Sequence, residues 1–169
     1  MSDVLTADEF ERRFLVSDLS IIKGAEFETI QQAYVWAAEG YAIRVRVITR
    51  VDENRSQDRA FLTLKGPRYD FHRYEAEIGI DPAHGNAIVA ISPTVITKRR
   101  YGLISERNTW VVDVFEHENE GLVIAEFEAS ESAVNLLKVP WWAGKEVTAD
   151  LRYSNENLAV TPWTTWADA

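Results

Sequence analysis

Residues 41–48 read YAIRVRVI, and their alternation decides how the chain folds. Ile43, Val45 and Val47 share one parity, while Arg44 and Arg46 share the other. A period of two is the strand signature, because successive side chains leave opposite faces of a pleated chain. One face of this strand is therefore aliphatic and the other cationic.

The same pattern recurs outward in both directions. In EFERRFLV (9–16), Glu9, Glu11 and Arg13 share a parity. In FLTLKG (61–66), Lys65 follows Thr63 and Phe61, with Leu62 and Leu64 opposite. In HRYEAEIGI (72–80), Arg73, Glu75 and Glu77 stand against Tyr74, Ala76, Ile78 and Ile80. TKRRY (97–101) aligns Lys98 with Arg100. WVVDVFE (110–116) sets Asp113 against Val112 and Val114, and IAEFEAS (124–130) aligns Glu126 with Glu128.

Eight strands are expected, near residues 9–16, 30–37, 41–50, 59–66, 71–80, 94–104, 109–116 and 121–129. Several links are hairpin-sized: AAEG before Tyr41, SERN before Thr109 and HENEG at 117–121. Short links imply antiparallel neighbours. Asp81 and Pro82 open a helix as N-cap and first helical residue. Ser130 caps a second helix, SESAVNLLKVP, which stops before Pro140. The expected fold is α+β, mainly β: an eight-stranded antiparallel barrel with a few flanking helices. At this strand number the interior holds side chains or one small ligand.

A single domain over residues 1–169 fits the length. No apolar run approaches the ~20 residues of a membrane span. Residues 1–8 show no secretory signal pattern, so the cytoplasm is the default expectation. There are no cysteines, which excludes disulfides, thiol catalysis and thiolate metal sites. His72, His84 and His117 are scattered without metal-ligand spacing, and surface or loop roles are expected for them. A net charge of −9 opposes broad binding to nucleic acid or anionic lipid, but not a local basic pocket.

The charged faces together hold seven acids and seven bases. Solvated outer faces are the ordinary reading of each strand alone. The repeated Glu-x-Glu and Arg-x-Arg pairs offer the other, a shared charged interior, and the residues alone leave both open. Such an interior would suit one ligand in particular. Carboxylate pairs are hard oxygen donors for Mg²⁺ or Mn²⁺. Arg and Lys clusters bind phosphate oxygens. A metal-bound polyphosphate, as a small-molecule partner, uses both.

These residues carry a resemblance. The chain resembles the CYTH domain, or triphosphate tunnel metalloenzyme, superfamily. That family is marked by an N-terminal Glu-x-Glu-x-Lys motif, which stands here as EFERR, Glu9 to Arg13. IQQAYV, IRVRV, LTLKG, RYEAEI, ITKRRY, VVDVFEHENEGLVIAEFE and PWWAGKEVTADLRYSNENLA follow in family order over residues 9–159. The departure is Arg13 where the motif ends in Lys; charge is kept, but the guanidinium is larger and forked.

The resemblance implies an eight-stranded tunnel holding metal and substrate. Family members hydrolyse inorganic or thiamine triphosphate, act as class IV adenylyl cyclases, or are RNA 5′-triphosphatases. The C-terminal pattern is most similar to short bacterial inorganic triphosphatases. On that footing Arg44, Arg46, Lys65, Arg73, Lys98 and Arg100 are expected to hold the triphosphate. Glu9, Glu11, Glu126 and Glu128 are expected to hold metal, two Mg²⁺ or Mn²⁺ ions in all. Arg13, Glu75, Glu77 and Asp113 are the expected catalytic group, with Glu75 open between metal ligand, water orienter and salt-bridge partner. The general base is open between a metal-bound hydroxide and a crowded carboxylate. The competing functions are nucleoside or thiamine triphosphate hydrolysis, cyclisation to cyclic AMP, and a non-catalytic polyphosphate or nucleotide sensor.

Tyr34 is expected to pack rather than meet substrate. Trp141, Trp142, Trp163 and Trp166 are expected to cover the outer wall or form a homodimer contact. Lys145 is expected at the surface. Tyr153 and Asn155 are expected to hold the C-terminal segment near the tunnel end.

Overall fold

The computed structural model describes residues 5–52, 55–70, 72–105 and 108–166. Nine strands and three α-helices occur among them: β1 (Leu5–Val16), β2 (Phe27–Ala38), β3 (Tyr41–Asp52), β4 (Arg55–Tyr69), β5 (His72–Ile80), α1 (Pro82–Ile91), β6 (Val95–Ser105), β7 (Asn108–Phe115), β8 (Val123–Ala129), α2 (Glu131–Asn135), β9 (Ala143–Glu146) and α3 (Asn155–Val160). The order β5-β4-β3-β2-β6-β7-β8-β1 closes through a β1–β5 pairing into an eight-stranded barrel, antiparallel throughout.

All eight expected strands are present, and β1 to β4 are longer than the alternation alone marked. The β2–β3 hairpin turns on Glu39 and Gly40, both at positive φ (52° and 82°). This matches the tight turn whose twist suits a two-residue hairpin. Positions 106 and 107 of the expected SERN turn lie outside the described residues. The short link from β7 to β8 begins with a 3₁₀ turn at His117–Asn119.

Closure decides which parity faces inward. Outside the barrel, Phe14, Trp110, Val112 and Phe127 form an apolar layer covered by Ile22, Val134 and Trp142. Elsewhere on the outer wall α1 packs on Ala33, Val47 and Ala60 through Val89. The approach is close at Gly85, where an added Cβ would lie 2.6 Å from the Ala60 Cβ. Asp81 caps α1 as expected, its Oδ1 accepting from the Ala83 N–H at 2.8 Å.

One end of the interior is apolar. Tyr34, Ala42, Ile96, Phe115 and Ile124 cluster there with Val147, Tyr153 and Leu158 from the C-terminal segment. Trp163 and Trp166 pack behind Tyr153. The four tryptophans therefore divide: Trp142 meets Trp110 edge-on at 5.0 Å, Trp163 and Trp166 back the C-terminal segment, and Trp141 is exposed.

Two local expectations are corrected. The second helix is capped by Ser130 but spans only Glu131–Asn135, because only Val134 on it finds the core while Leu136 stands 80% exposed. The strand β9 is additional to the eight expected strands. It is four residues long and pairs with β1 at Phe14 and Val16, past the Leu5–Phe10 stretch paired with β5. Its sequence AGKE carries no alternation strong enough to mark it. No helix among the described residues is long and apolar enough to cross a membrane.

Candidate active site

The barrel encloses a cavity of about 270 Å³. Thirteen of the fourteen charged positions singled out by parity line it: Glu9, Glu11, Arg13, Arg44, Arg46, Lys65, Arg73, Glu75, Glu77, Lys98, Arg100, Glu126 and Glu128. The interior reading of the charged faces is therefore the one the fold realises. Asp113 is not in the lining. The three histidines are also elsewhere; His72 contacts Asp8 at 2.9 Å.

Six further residues complete the wall. Gln32 and Tyr34 come from β2, Arg68 from β4, and Ser154, Asn155 and Glu156 from the C-terminal segment. Tyr34 both packs and faces the cavity, and its hydroxyl accepts from Gln32 Nε2 at 3.2 Å. Burial, with Glu156 nearby, pushes the Tyr34 phenol up, so it stays neutral. Arg68 and Glu156 carried no strong signal in the sequence. Arg68 lies beyond a break in the alternation of β4, and Glu156 lies on a helix that only tertiary packing brings to the barrel.

The basic wall is organised from behind. Asp113 is wholly buried and accepts from Lys98 Nζ at 2.6 Å, and from Arg100 Nε and Nη2 at 2.7 and 2.6 Å. Burial opposes its ionisation, but Arg100 and Lys98 outweigh that and hold it well below the usual carboxylate range. Asn155 accepts from Lys98 Nζ at 3.2 Å, as suited to a residue holding the C-terminal segment at the cavity. Across the barrel Arg46 Nη2 donates to both oxygens of Glu77 at 3.1 and 3.0 Å. Thr63 donates to Glu77 at 2.7 Å and accepts from Arg44 Nη2 at 3.1 Å.

Arg73 is tied three ways: to the Gly66 and Gly40 carbonyls at 2.7 and 3.2 Å, and to Glu156 at 2.9 Å. Lys65 pairs with Glu75 and lies 3.8 Å from Glu9. Burial and the neighbouring Arg44 bring its ammonium down to about 7. Arg13 is directed at the chain itself. Its Nη1 and Nη2 donate to the Tyr153 and Thr148 carbonyls at 2.9 and 3.1 Å.

The acidic wall is under like-charge strain. Glu11 and Glu128 are cross-strand partners in the β1–β8 register, and Glu126 lies opposite Arg13. Like charges directly opposite are unfavourable. Burial, then Glu9, Glu11 and Glu126, raise the Glu128 carboxyl to about 7. Burial, then Glu9 and Glu126, raise Glu11, although Arg68 and Arg13 counter them. Buried Glu9 Oε2, Arg44 Nε, Arg46 Nε and Arg68 Nη1 have no hydrogen-bond partner. Such groups cost about 1–3 kcal/mol each and mark a surface built for something else to satisfy.

No family model matches the chain, but individual relatives do. An inorganic triphosphatase of Acetivibrio thermocellus is 39% identical over 158 residues, covering 92% of this chain and 95% of the relative. An inorganic triphosphatase of Nitrosomonas europaea is 30% identical over 156 residues, covering 90% and 97%. A crystal structure of an inorganic triphosphatase superposes with a TM-score of 0.63 at 28% identity, covering 90% of this chain and 94% of its own. A Pyrococcus furiosus protein shares the fold at 16% identity with a TM-score of 0.53, covering 76% and 84%. Near-complete coverage, ordered charged strands and a closed eight-stranded barrel converge: the chain belongs to the inorganic triphosphatases of the CYTH superfamily.

Proposed function

We propose that the protein hydrolyses inorganic triphosphate to diphosphate and phosphate inside the barrel, with Mg²⁺ or Mn²⁺. The observation that carries this reading is the wall itself. Eight cationic and seven carboxylate side chains surround one small cavity in a chain of net charge −9. Among the described lining residues only the Tyr34 ring is aromatic, which suits a polyphosphate without a base.

The donor chemistry fits divalent ions. Glu9, Glu11, Glu126 and Glu128 are hard oxygen donors, and the set is crowded enough to raise the Glu11 and Glu128 carboxyls. Among the described residues no three His, Cys, Asp or Glu side chains converge in ligating geometry in this conformation. Glu11 Oε1 instead accepts from Arg68 at 2.6 Å. Two ions held by these four carboxylates would neutralise phosphate oxygens and activate the attacking water.

The chain's own residues do the rest. Arg44, Arg46, Lys98 and Arg100 hold the substrate by charge-assisted hydrogen bonds, and are pre-aimed by Glu77, Thr63 and Asp113. Lys65 and Arg73 extend this basic wall. Asp113 acts as a positioning residue, since both its oxygens are taken. Arg13 anchors the Thr148–Tyr153 backbone beside the cavity. In-line attack of water on a terminal phosphorus breaks the bond to the bridging oxygen, and diphosphate departs with the proton balance taken by a wall carboxylate or solvent.

The test is phosphate release from triphosphate, longer polyphosphates, ATP and thiamine triphosphate, each with Mg²⁺ or Mn²⁺, with cyclic AMP assayed in parallel. Preferred release from inorganic triphosphate is expected. Binding without turnover of any substrate would sink the hydrolase reading.

A further inference from the structure

Strict alternation along β4 would put Phe61, Thr63, Lys65, Pro67 and Tyr69 inward and turn Arg68 out to solvent. The β4–β5 pairing instead slips by one residue between Lys65↔Glu75 and Arg68↔Arg73. A one-residue bulge reverses parity and re-aims the side chains beyond it. This one brings Arg68 to the cavity wall. It is held in place locally. The Gly66 carbonyl accepts from Arg73 Nε at 2.7 Å, and Pro67 needs no amide partner. Gly40 abuts Pro67 so closely that a Cβ there would lie 3.2 Å from the Pro67 Cβ.

The guanidinium arrives at the acidic wall. Its Nη2 donates to Glu11 Oε1 at 2.6 Å, while its Nη1 is buried and has no hydrogen-bond partner. Glu11 is the carboxylate that faces Glu128 across β1 and β8. Arg68 therefore occupies, with a single positive charge, the acceptor that a divalent ion would need. The ion and the guanidinium repel one another at such range, and in a buried site that repulsion is weakly screened. They can share the acidic end only with an anion between them, and a phosphate oxygen meets that condition.

On the reading of this cavity as a triphosphate site, we propose that Arg68 is a further substrate-binding residue that ties metal loading to substrate. It holds Glu11 in the empty protein, yields Glu11 to the divalent ion, and turns its fork to an end phosphate. The bulge at Gly66–Pro67 is the device that makes this possible.

The proposal requires opposite changes in two affinities. Mn²⁺ binding to substrate-free protein and triphosphate binding to Mn²⁺-loaded protein are measured by calorimetry for wild type, Arg68→Ala and Arg68→Met. The Met variant keeps the unbranched stem and so protects against a loss due only to packing. Loss of one charged hydrogen bond predicts triphosphate binding weaker by on the order of tenfold in both variants. Removal of the competing cation predicts tighter Mn²⁺ binding, by several-fold. A purely structural arginine would weaken both or neither, and either result overturns the proposal. If the wild type binds but never hydrolyses triphosphate, the hydrolase reading falls while the two titrations still decide Arg68.

Discussion

Glu11 and Glu128 face one another directly across β1 and β8, two carboxylates on the inner wall of one barrel. Each is raised by burial and by its acidic neighbours, so each is costly to ionise in the protein alone. Glu11→Gln removes that cost together with a hard donor. Metal-dependent phosphate release is expected to fall by about 100-fold or more. Thermal melting in chelator should be unchanged or higher, since the amide adds no charge. Full turnover in the variant would remove Glu11 from the metal set.

The basic wall makes a separate prediction. Arg44 and Arg46 are aimed by Glu77 and Thr63, and each keeps a buried Nε without a partner. Alanine at either should raise the triphosphate concentration for half-saturation by about tenfold or abolish turnover. Steady-state kinetics with saturating metal distinguish the two. Wild-type constants for both variants would mean that this wall does not hold substrate.

Asp113 should act on stability as well as activity. Asp113→Asn leaves the buried Lys98 without its counter-ion and Arg100 with Glu126 alone, at an expected cost of about 3–5 kcal/mol. The pH dependence has a definite sign. The folded-state pKa is depressed, so the stabilisation is present above the unfolded value and is lost as pH falls toward the folded one. Urea unfolding should therefore show wild type and variant converging below about pH 4. A constant gap down to the lowest accessible pH would contradict this.

Arg13 is the position where a motif lysine is replaced, and its fork bridges the Tyr153 and Thr148 carbonyls. An ammonium can satisfy one of these well but lacks the planar fork for both. Arg13→Lys is expected to cost about 1–3 kcal/mol. Amide exchange should accelerate in residues 147–158, with the barrel strands unaffected. Equal exchange in both proteins would show that the C-terminal segment does not depend on the fork.

Much of this was legible in the sequence because strand parity is local. Arg44 and Arg46, or Glu126 and Glu128, share a face in any extended chain, and the hairpin at Glu39–Gly40 declares its own turn. Arg68 was hidden by the same logic, since a bulge breaks the period that reveals its neighbours. Asp113 was legible as an inward acid, but its pairing with Lys98 and Arg100 follows from the β6–β7 register, in which Arg100 and Asp113 are directly opposed.

The sequence by itself determined two faces per strand, the eight staves and the residues offered to a polyphosphate. It did not determine which face is the inside, what Arg13 and Asp113 hold, or where Arg68 points. Those depend on closure through β1 and β5, on cross-strand register and on the docking of residues 147–158. They are set by contacts between segments distant along the chain, and local periodicity carries no information about such contacts.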